Sequence, residues 1–452
     1  MAGIFKAYDI RGVVGDGLDA NCAYLIGRGL AVEVFGRRGP IVVSRDMRTH
    51  SPQLADALIR GLSAEGCAVV DIGLAATPMN YWANVEYSAA GSVQVTASHN
   101  GPQYNGFKVS GPRAAPVDYA SGLDLVERFV LQSEAGGKSG ETSTAQPATK
   151  PADVLEKYLQ FMDGFLTVEG RPLKIVVDAG NGMAGLFMPE FARRRDWLQA
   201  QPLYWELDGT FPNHEADPLK PENLEDVQNA TRAQGGDFGV AFDGDADRCM
   251  FVDENGRTIS SDLITALIAA EVLRQHPGTP ILYDLRSSKV VPEWIEQHGG
   301  EPVRGRVGHS FMKRLLKERG APFGGELSGH YYFADCFNTD SGLMAMIQLI
   351  NIWQRRQESL SQMIAPLRQY SATGEINFRV GDVASVLENI ERHYEAQGAA
   401  LDRLDGLTVA FDEWWFNLRS SNTEPLLRLN LEAASDTARA QRLKEVQALI
   451  EA

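Results

Sequence analysis

A chain of 452 residues is too long for one hydrophobic core, so three or four domains are expected. Its composition, 44% hydrophobic and 23% charged, is that of a folded globular protein, and its net charge of -16 excludes a general nucleic-acid binder while leaving room for a local basic pocket that holds a small anion. No apolar run is long enough to span a bilayer, the N-terminus lacks the apolar core of a signal peptide, and Cys22, Cys67, Cys249 and Cys336 are scattered without a Cys-x-x-Cys pair, so a cytoplasmic protein with free thiols and no membrane partner is expected.

The first predicted elements alternate. Ile4-Phe5-Lys6-Ala7-Tyr8-Asp9-Ile10-Arg11-Gly12 places Arg11 ahead of a glycine, either as a turn arginine or as a guanidinium able to grip phosphate in a bidentate way. Residues 20–35 have helical periodicity, and residues 40–44 form a short strand. Arg45-Asp46-Met47-Arg48 leads into a helix over about 51–65, with Ser51 as N-cap and Pro52 at its first position. Residues 68–73 are another strand, and the alternation argues for an α/β layer architecture. A short apolar run at 93–95 then delivers Thr96-Ala97-Ser98-His99-Asn100, followed by Gly101-Pro102-Gln103-Tyr104-Asn105-Gly106-Phe107-Lys108. Ser98 is a candidate nucleophile that needs activation, and Ala97 and His99 are not the flanks of a Gly-x-Ser-x-Gly elbow. The competing reading is a strand end with an Asn-Gly turn. A helix is predicted near 118–131, and residues 133–150, rich in Gly, Ser, Thr and Ala, read as a loop or linker at the first domain boundary.

A second α/β unit follows. Its strand at 173–178 ends in Ala179-Gly180-Asn181-Gly182-Met183-Ala184-Gly185, which lacks the Lys-Ser/Thr ending of a P-loop and the dinucleotide spacing, and so predicts tight backbone packing. Apolar runs at 238–242 and 250–253 flank Asp243-Gly244-Asp245-Ala246-Asp247-Arg248. The three aspartates alternate, so on an extended loop they can point the same way. Carboxylates that close repel unless a cation sits among them, and such oxygen ligands suit Mg²⁺ or Ca²⁺. An EF-hand is excluded: Glu254 falls at the last ligand position, but Arg248 stands where that loop needs glycine, and the flanks read as strands. A solvated acidic turn is the alternative.

A third α/β unit begins with a helix from about Ser261 and includes a strand at 280–284. It carries Val307-Gly308-His309-Ser310 and Gly325-Glu326-Leu327-Ser328-Gly329-His330. A carboxylate, a hydroxyl and an imidazole at alternate positions suit the vicinal hydroxyls of a sugar, or form a structural loop. His309 is either a satisfied surface histidine or a proton-transfer group near its natural pKa. After a helix at 341–354 the composition shifts near Ser371, and the remainder reads as an α+β domain. It holds Arg419-Ser420-Ser421-Asn422-Thr423-Glu424-Pro425, which either forms an anion nest backed by an arginine or caps a strand. Three α/β units in a row hint at a coarse repeat.

Taken together, four of these stretches resemble the α-D-phosphohexomutase family along essentially the whole chain. The run from Thr96 to Asn100 with Tyr104-Asn105-Gly106-Phe107-Lys108 resembles its phosphoserine loop, and Asp243 to Arg248 its metal loop. Gly325 to His330 resembles its sugar-recognition loop, and Arg419-Ser420-Ser421-Asn422-Thr423 its phosphate-clamp loop. The resemblance implies three similar α/β domains with mixed sheets plus a C-terminal α+β domain in a heart-shaped arrangement, divided as 1–150, 151–252, 253–368 and 369–452 and carrying the four loops in that order.

It also implies an activity: reversible phosphoryl transfer between the 1- and 6-positions of hexose phosphates, mannose or glucose, through a phosphoserine and a bound hexose 1,6-bisphosphate. Ser98 carries the phosphoryl group in that scheme, and Mg²⁺ is held by Asp243, Asp245, Asp247 and Ser98. Lys108 and His309 are the acid/base groups, with Arg11 and Arg248 beside the reacting phosphate. Glu326 and Ser328 take sugar hydroxyls, with Tyr8, Arg286, Gly308 and His330 as further substrate contacts, and Arg419, Ser421, Asn422 and Thr423 hold the distal phosphate. A hexose 1,6-bisphosphate primes the serine, and the last domain closes over the substrate. Three positions depart from the family pattern: Leu327 stands where the mannose/glucose form has methionine, Gly101 replaces a proline, and Arg286 replaces a lysine. The alternatives are a phosphoglucosamine mutase, whose loop has glutamine at the Leu327 position, and a non-catalytic sugar-phosphate binder.

Overall fold

Runs of β-branched and aliphatic residues make the central strands. Ile41–Arg45, Gly91–Val95 and Phe238–Phe242 are buried along almost their whole length, as strands covered by helices on both faces must be. The computed structural model describes residues 3–135, 149–151, 153–167, 170–420 and 426–451, and these residues form four sheets.

Three of the sheets repeat one pattern. In the first, Ile41–Arg45 lies between Val69–Leu74 and Gly91–Val95, parallel to both, and Gly91–Val95 pairs antiparallel with Tyr104–Ser110, which pairs antiparallel with Ile10–Val13. In the second, Leu173–Asp178 lies parallel between Leu198–Leu203 and Phe238–Phe242, and Cys249–Asp253 and Thr258–Ile259 follow antiparallel. In the third, Pro280–Asp284 lies parallel between Glu301–Gly305 and Phe323–Gly325, and Tyr331–Phe333 and Thr339–Asp340 follow antiparallel. In each sheet the chain passes from the last parallel strand to the first antiparallel one through a single loop. Those loops are residues 96–103, 243–248 and 326–330, so three of the four sequence motifs occupy one topological position. The coarse repeat carries one permutation: the outer antiparallel strand of the first sheet, Ile10–Val13, comes from the start of its unit rather than the end.

The fourth sheet is antiparallel throughout, in the order Ser371–Phe378, Leu427–Ala433, Trp414–Ser420, Leu407–Ala410, Ala400–Asp402. Helices Val383–Glu395 and Asp436–Ile450 pack against it. Its apolar core, around Tyr394, Phe416 and Leu429, is its own. The largest core runs without a break through the first three units, from Met79 by way of Phe187 to Ile281 and Trp353.

Several local expectations are met and others corrected. The glycine turn after Asp178 is close packing, since a Cβ on Gly185 would stand 2.0 Å from the Trp205 carbonyl oxygen. All four cysteines are free and buried. Helix Ala20–Gly29 continues as a π-helical turn over Leu30–Val34. Ser51 is not an N-cap: His50 holds that position, Ser51 opens helix Ser51–Ala64, and its hydroxyl donates to Asp46 Oδ1 at 2.5 Å. A buried carboxylate five residues back has claimed the group that would have capped the helix. Helix Leu123–Ala135 runs through the start of the loop predicted over 133–150, residues 136–148 of that stretch lie outside the described residues, and Thr149 forms a parallel bridge with Val70. No helix among the described residues is long and apolar enough to cross a membrane.

Candidate active site

The loop after Gly91–Val95 presents Ser98. Thr96 Oγ1 accepts from Ser98 N at 2.9 Å, and Ala97 O accepts from Asn100 N at 3.1 Å. This turn places Ser98 at φ +50°, a left-handed conformation that residues with a Cβ seldom hold and that gathers at functional sites. The Ser98 hydroxyl donates to Asp243 Oδ2 at 2.9 Å and lies 3.2 Å from His99 Nδ1. Arg11 reaches the same loop, donating from Nη1 to Asn100 Oδ1 at 2.6 Å while Nη2 pairs with Asp9.

The loop of the second sheet folds onto Ser98. A Cβ on Gly244 would sit 2.4 Å from the Ser98 carbonyl oxygen, so glycine lets the two loops touch. Asp243, Asp245 and Asp247 are buried, each offering a carboxylate oxygen within 4.8 Å of the others. The repulsion expected from the sequence is answered by positive charge. Lys108 Nζ lies 2.7 Å from Asp245 Oδ2 and 2.5 Å from Asp247 Oδ2, and Arg248 Nε lies 3.0 Å from Asp243 Oδ2. Burial alone would raise the Asp247 carboxyl, but Lys108 and Arg248 hold it below the usual carboxylate range. Lys108 is likewise buried, and Asp245 and Asp247 override that burial and keep it protonated. Asp245 Oδ1 and Asp247 Oδ1 are buried without a hydrogen-bond partner. Unpaired hard oxygens of this kind fit a Mg²⁺ ion.

The third loop is joined to the second by backbone. Cys249 N donates to Gly329 O at 3.2 Å, and Arg248 and His330 form an antiparallel bridge. Glu326 Oε1 accepts from Gly308 N at 2.8 Å, and Oε2 accepts from the Tyr332 hydroxyl. Burial, with Asp284 nearby, pushes the Glu326 carboxyl up to about 7. Ser328 Oγ and His330 Nδ1 are 2.9 Å apart. Gly308 has φ +127°, and a Cβ there would meet the Tyr8 ring at 2.8 Å. Tyr8 closes on that turn, its hydroxyl donating to Val307 O at 3.3 Å. The His309 ring stands 5.7 Å from the Tyr8 ring and 6.2 Å from the His330 ring. Burial and the charges of Lys313 and Lys108 push His309 well below its ordinary pKa, and its Nδ1 has no hydrogen-bond partner. His309 is therefore not the satisfied surface histidine of the competing reading. Arg286 lays its fork on Asp284, with Nη2 2.7 Å from Oδ2 and Nε 3.2 Å from Oδ1, and Asp284 Oδ2 also accepts from Leu327 N at 2.7 Å.

Arg419, at the end of Trp414–Ser420, extends from the fourth sheet and pairs with Glu375 Oε2 at 2.7 Å. On the adjacent strand Arg428 pairs with the other oxygen of Glu375 at 3.2 Å. Ser421, Asn422 and Thr423 lie outside the described residues. A cleft of about 920 Å³ is lined by all four units, among them Ser98, Lys108, Arg248, Arg286, Glu326 and Arg419. Its cations gather in a chain whose net charge is -16, which makes the cleft a local sink for anions.

Residues 2–132, 156–256 and 260–370 match the family descriptions Phosphoglucomutase/phosphomannomutase, alpha/beta/alpha domains I, II and III, and residues 375–449 match the C-terminal domain of the same family. The chain belongs to the phosphoglucomutase/phosphomannomutase family. It is 39% identical over 449 residues to a protein of Xanthomonas campestris pv. campestris named Phosphohexose mutases, covering 99% of this chain and 98% of that one. It is 36% identical over 451 residues to the Phosphomannomutase/phosphoglucomutase of Pseudomonas aeruginosa, covering 98% and 94%. Among solved structures, a Phosphoglucomutase/phosphomannomutase family protein from Burkholderia thailandensis superposes with a TM-score of 0.88 at 35% identity, covering 99% of this chain and 97% of that one.

Within this phosphoglucomutase/phosphomannomutase fold, sequence reasoning passed over three residues of the site. His99 stood inside a quoted motif, and its contact with Ser98 Oγ needed no more than adjacency. Asp284 ends a parallel strand, where ligand-facing groups of α/β sheets collect. Arg428 faces the cleft only because the Leu427–Ala433 strand pairs Arg428 with Arg419, a register that the sequence does not display.

Proposed function

We propose that the chain is a phosphohexomutase that interconverts the 1- and 6-phosphates of mannose, glucose or both, with Ser98 carrying the transferred phosphoryl group. The observation that supports this best is Ser98 Oγ, 2.9 Å from Asp243 Oδ2, in a cleft that Arg419 of the last unit also lines. A phosphatase would not need a second, distal grip on phosphate.

From phosphoserine at position 98, the phosphoryl group passes to the free hydroxyl of a hexose monophosphate. The hydroxyl oxygen bonds to phosphorus as the bond from phosphorus to Ser98 Oγ breaks. The resulting hexose 1,6-bisphosphate turns around in the cleft and returns its other phosphoryl group to Ser98. Neutral His309, which lines the cleft, accepts the hydroxyl proton, and protonated Lys108 donates to Ser98 Oγ. Arg11 and Arg248 give charge-assisted hydrogen bonds to the moving group. Glu326 and Ser328 take sugar hydroxyls, flanked by Tyr8, Arg286, Gly308 and His330. Arg419, Ser421, Asn422 and Thr423 hold the phosphate that does not react. Asp243, Asp245, Asp247 and Ser98 would hold Mg²⁺, whose charge offsets that developing on the phosphoryl oxygens. A trace of hexose 1,6-bisphosphate loads the serine.

Phosphorus NMR of the purified protein tests the reading, with Mg²⁺, catalytic glucose 1,6-bisphosphate and, in separate runs, mannose, glucose and glucosamine 1-phosphates. The 6-phosphate is expected from mannose or glucose, with glucosamine slow. Chelation with EDTA and the substitution Ser98→Ala should each stop turnover. Full activity in Ser98→Ala, or no isomerisation of any substrate, overturns the proposal.

A further inference from the structure

One buried guanidinium stands behind the reaction centre and takes no part in the scheme above. Arg48 lies in the turn before helix Ser51–Ala64 and is 1% exposed. Its Nε donates to Asp46 Oδ2 at 3.1 Å, and Asp46 is held in turn by the Ser51 hydroxyl and by the Arg48 backbone N–H. Arg48 Nη1 donates to Gly101 O at 2.7 Å and Tyr104 O at 3.1 Å, and Nη2 donates to Ser98 O at 2.8 Å and Asn100 O at 2.6 Å. A guanidinium has five N–H groups in a fixed planar fork. All five are used here, and the outer four all go to main-chain carbonyls, three in the loop that carries Ser98 and one on Tyr104, which opens the next strand.

Two consequences follow from that geometry. The four carbonyls point at a buried cation, so their negative ends face the protein interior and not the place where a phosphoryl group would sit. Released from Arg48, the Gly101 carbonyl would keep the Tyr104 N–H, but those of Ser98 and Asn100 would be left without that partner or turned toward an anion, and both are unfavourable. The Ser98 carbonyl is also pinned from two sides, by Arg48 Nη2 and by the backbone of Gly244, where a Cβ would stand 2.4 Å away. Arg48 therefore sets how the serine loop meets the carboxylate loop. The second unit presses on the same side chain: the Phe211 ring lies 5.0 Å from the Arg48 guanidinium carbon, and a Cβ on Gly209 would fall 2.5 Å from Arg48 Cα.

We propose that Arg48 is a positioning residue for phosphoryl transfer. By binding the carbonyls of Ser98, Asn100, Gly101 and Tyr104, it holds Ser98 in its left-handed conformation and keeps four carbonyl dipoles away from the phosphoryl group. It thereby sets the rate at which Ser98 gains and loses phosphate, while the affinity for the hexose is set elsewhere in the cleft. The proposal rests on the mutase reading.

Arg48→Lys is the decisive variant, because lysine keeps the charge but its single ammonium cannot serve four carbonyls spread over seven residues. Four quantities are measured on the full chain with Mg²⁺: kcat and KM for glucose 1-phosphate, the rate of Ser98 loading from glucose 1,6-bisphosphate by quenched intact-mass analysis, and the melting temperature. Misplacement of a reacting group by about 1 Å costs roughly 100-fold in rate. A fall of that order is expected in kcat and in the loading rate together, with KM within about threefold of wild type. Asp46→Asn, which loosens the aim of Arg48 and leaves its contacts to the loop in place, should slow loading by roughly tenfold, again at unchanged KM. Loading and kcat within about threefold of wild type in both variants overturn the proposal. So does a loss in which KM rises as far as kcat falls and tracks melting of the chain, since that is a merely structural role. Should Arg48→Lys fail to fold, the Asp46→Asn loading rate decides alone. A wild-type chain that never loads Ser98 overturns the mutase reading and this proposal with it, a result distinct from any difference between variants.

Discussion

Two buried carboxylates of the candidate site are driven in opposite directions by their surroundings. Asp247 sits under Lys108 and Arg248 and stays ionised, whereas Glu326, buried beside Asp284, titrates at about 7. The sign follows from protonation. Folding favours protonated Glu326, so its contribution to stability is full below the unfolded carboxyl range of about 4.3 and is lost as pH rises through about 7. With Glu326 in its proposed place on the sugar, substrate binding runs the other way, because only the carboxylate accepts through both oxygens. Between pH 6 and 8, then, KM for a hexose 1-phosphate is expected to fall with a component centred near 7 that disappears in Glu326→Gln, while the titration of the substrate phosphate stays in both. Identical KM profiles in wild type and variant would remove Glu326 from sugar recognition. At this scale, what was legible were groups whose partners are side chains. Asp243, Asp245 and Asp247 declare themselves by spacing, and Lys108 and Arg248 offset part of their charge while Asp245 Oδ1 and Asp247 Oδ1 stay unpaired. Arg48 was passed over because its partners are carbonyl oxygens, which every residue has. Ser51 was misread because the competing acceptor, Asp46, carries no mark of being buried.

The turn between the last parallel and first antiparallel strand is the element on which the site is built. Strand character was readable from apolar runs, and the loops from their polar punctuation. What no run of residues displays is that loops 96–103 and 243–248 press backbone on backbone, since that contact joins segments about 145 residues apart. Gly244 is the point of contact, and Gly244→Ala forces the loops apart by its Cβ. Kinetics and melting separate the two effects. Overpacking at one loop should cost about 1–3 kcal/mol of stability. Parting Ser98 from Asp243 should lower kcat by on the order of 100-fold. A variant with near-normal kcat would show that the loops need not touch for turnover.

At the scale of the molecule, the first three units share a continuous core, the first also holds a second core of its own, and the fourth has its own alone. The fourth is held to the third by a few polar contacts: Asp405 accepts from Val307 N at 3.2 Å, Glu432 accepts from Lys289 N at 2.9 Å, and Arg304 pairs with Asp402. The first of these sits beside Gly308 and His309, so the position of the last unit is coupled to the cleft. Arg304 and Asp402 are about a third exposed, and pairs of that kind contribute about 0.2–1 kcal/mol. Arg304→Ala is therefore expected to raise KM by less than about fivefold and leave kcat close to wild type. A large loss of kcat would mean that this pair organises the chemistry. That three α/β units precede a different fourth was legible from the repeated α/β pattern and the composition shift near Ser371. The permutation of Ile10–Val13 was not, because strand order across a sheet is a long-range choice.

The shared place of the three loops bears on how such a centre can arise by descent. A repeated α/β unit brings with it a ready-made turn, and three such units packed against one another deliver three turns to one point. Each unit can then specialise without rebuilding its sheet: one turn carries Ser98, one Asp243, Asp245 and Asp247, and one Glu326, Ser328 and His330. Division of labour among topologically equivalent turns fits loops that differ in sequence and yet occupy the same address.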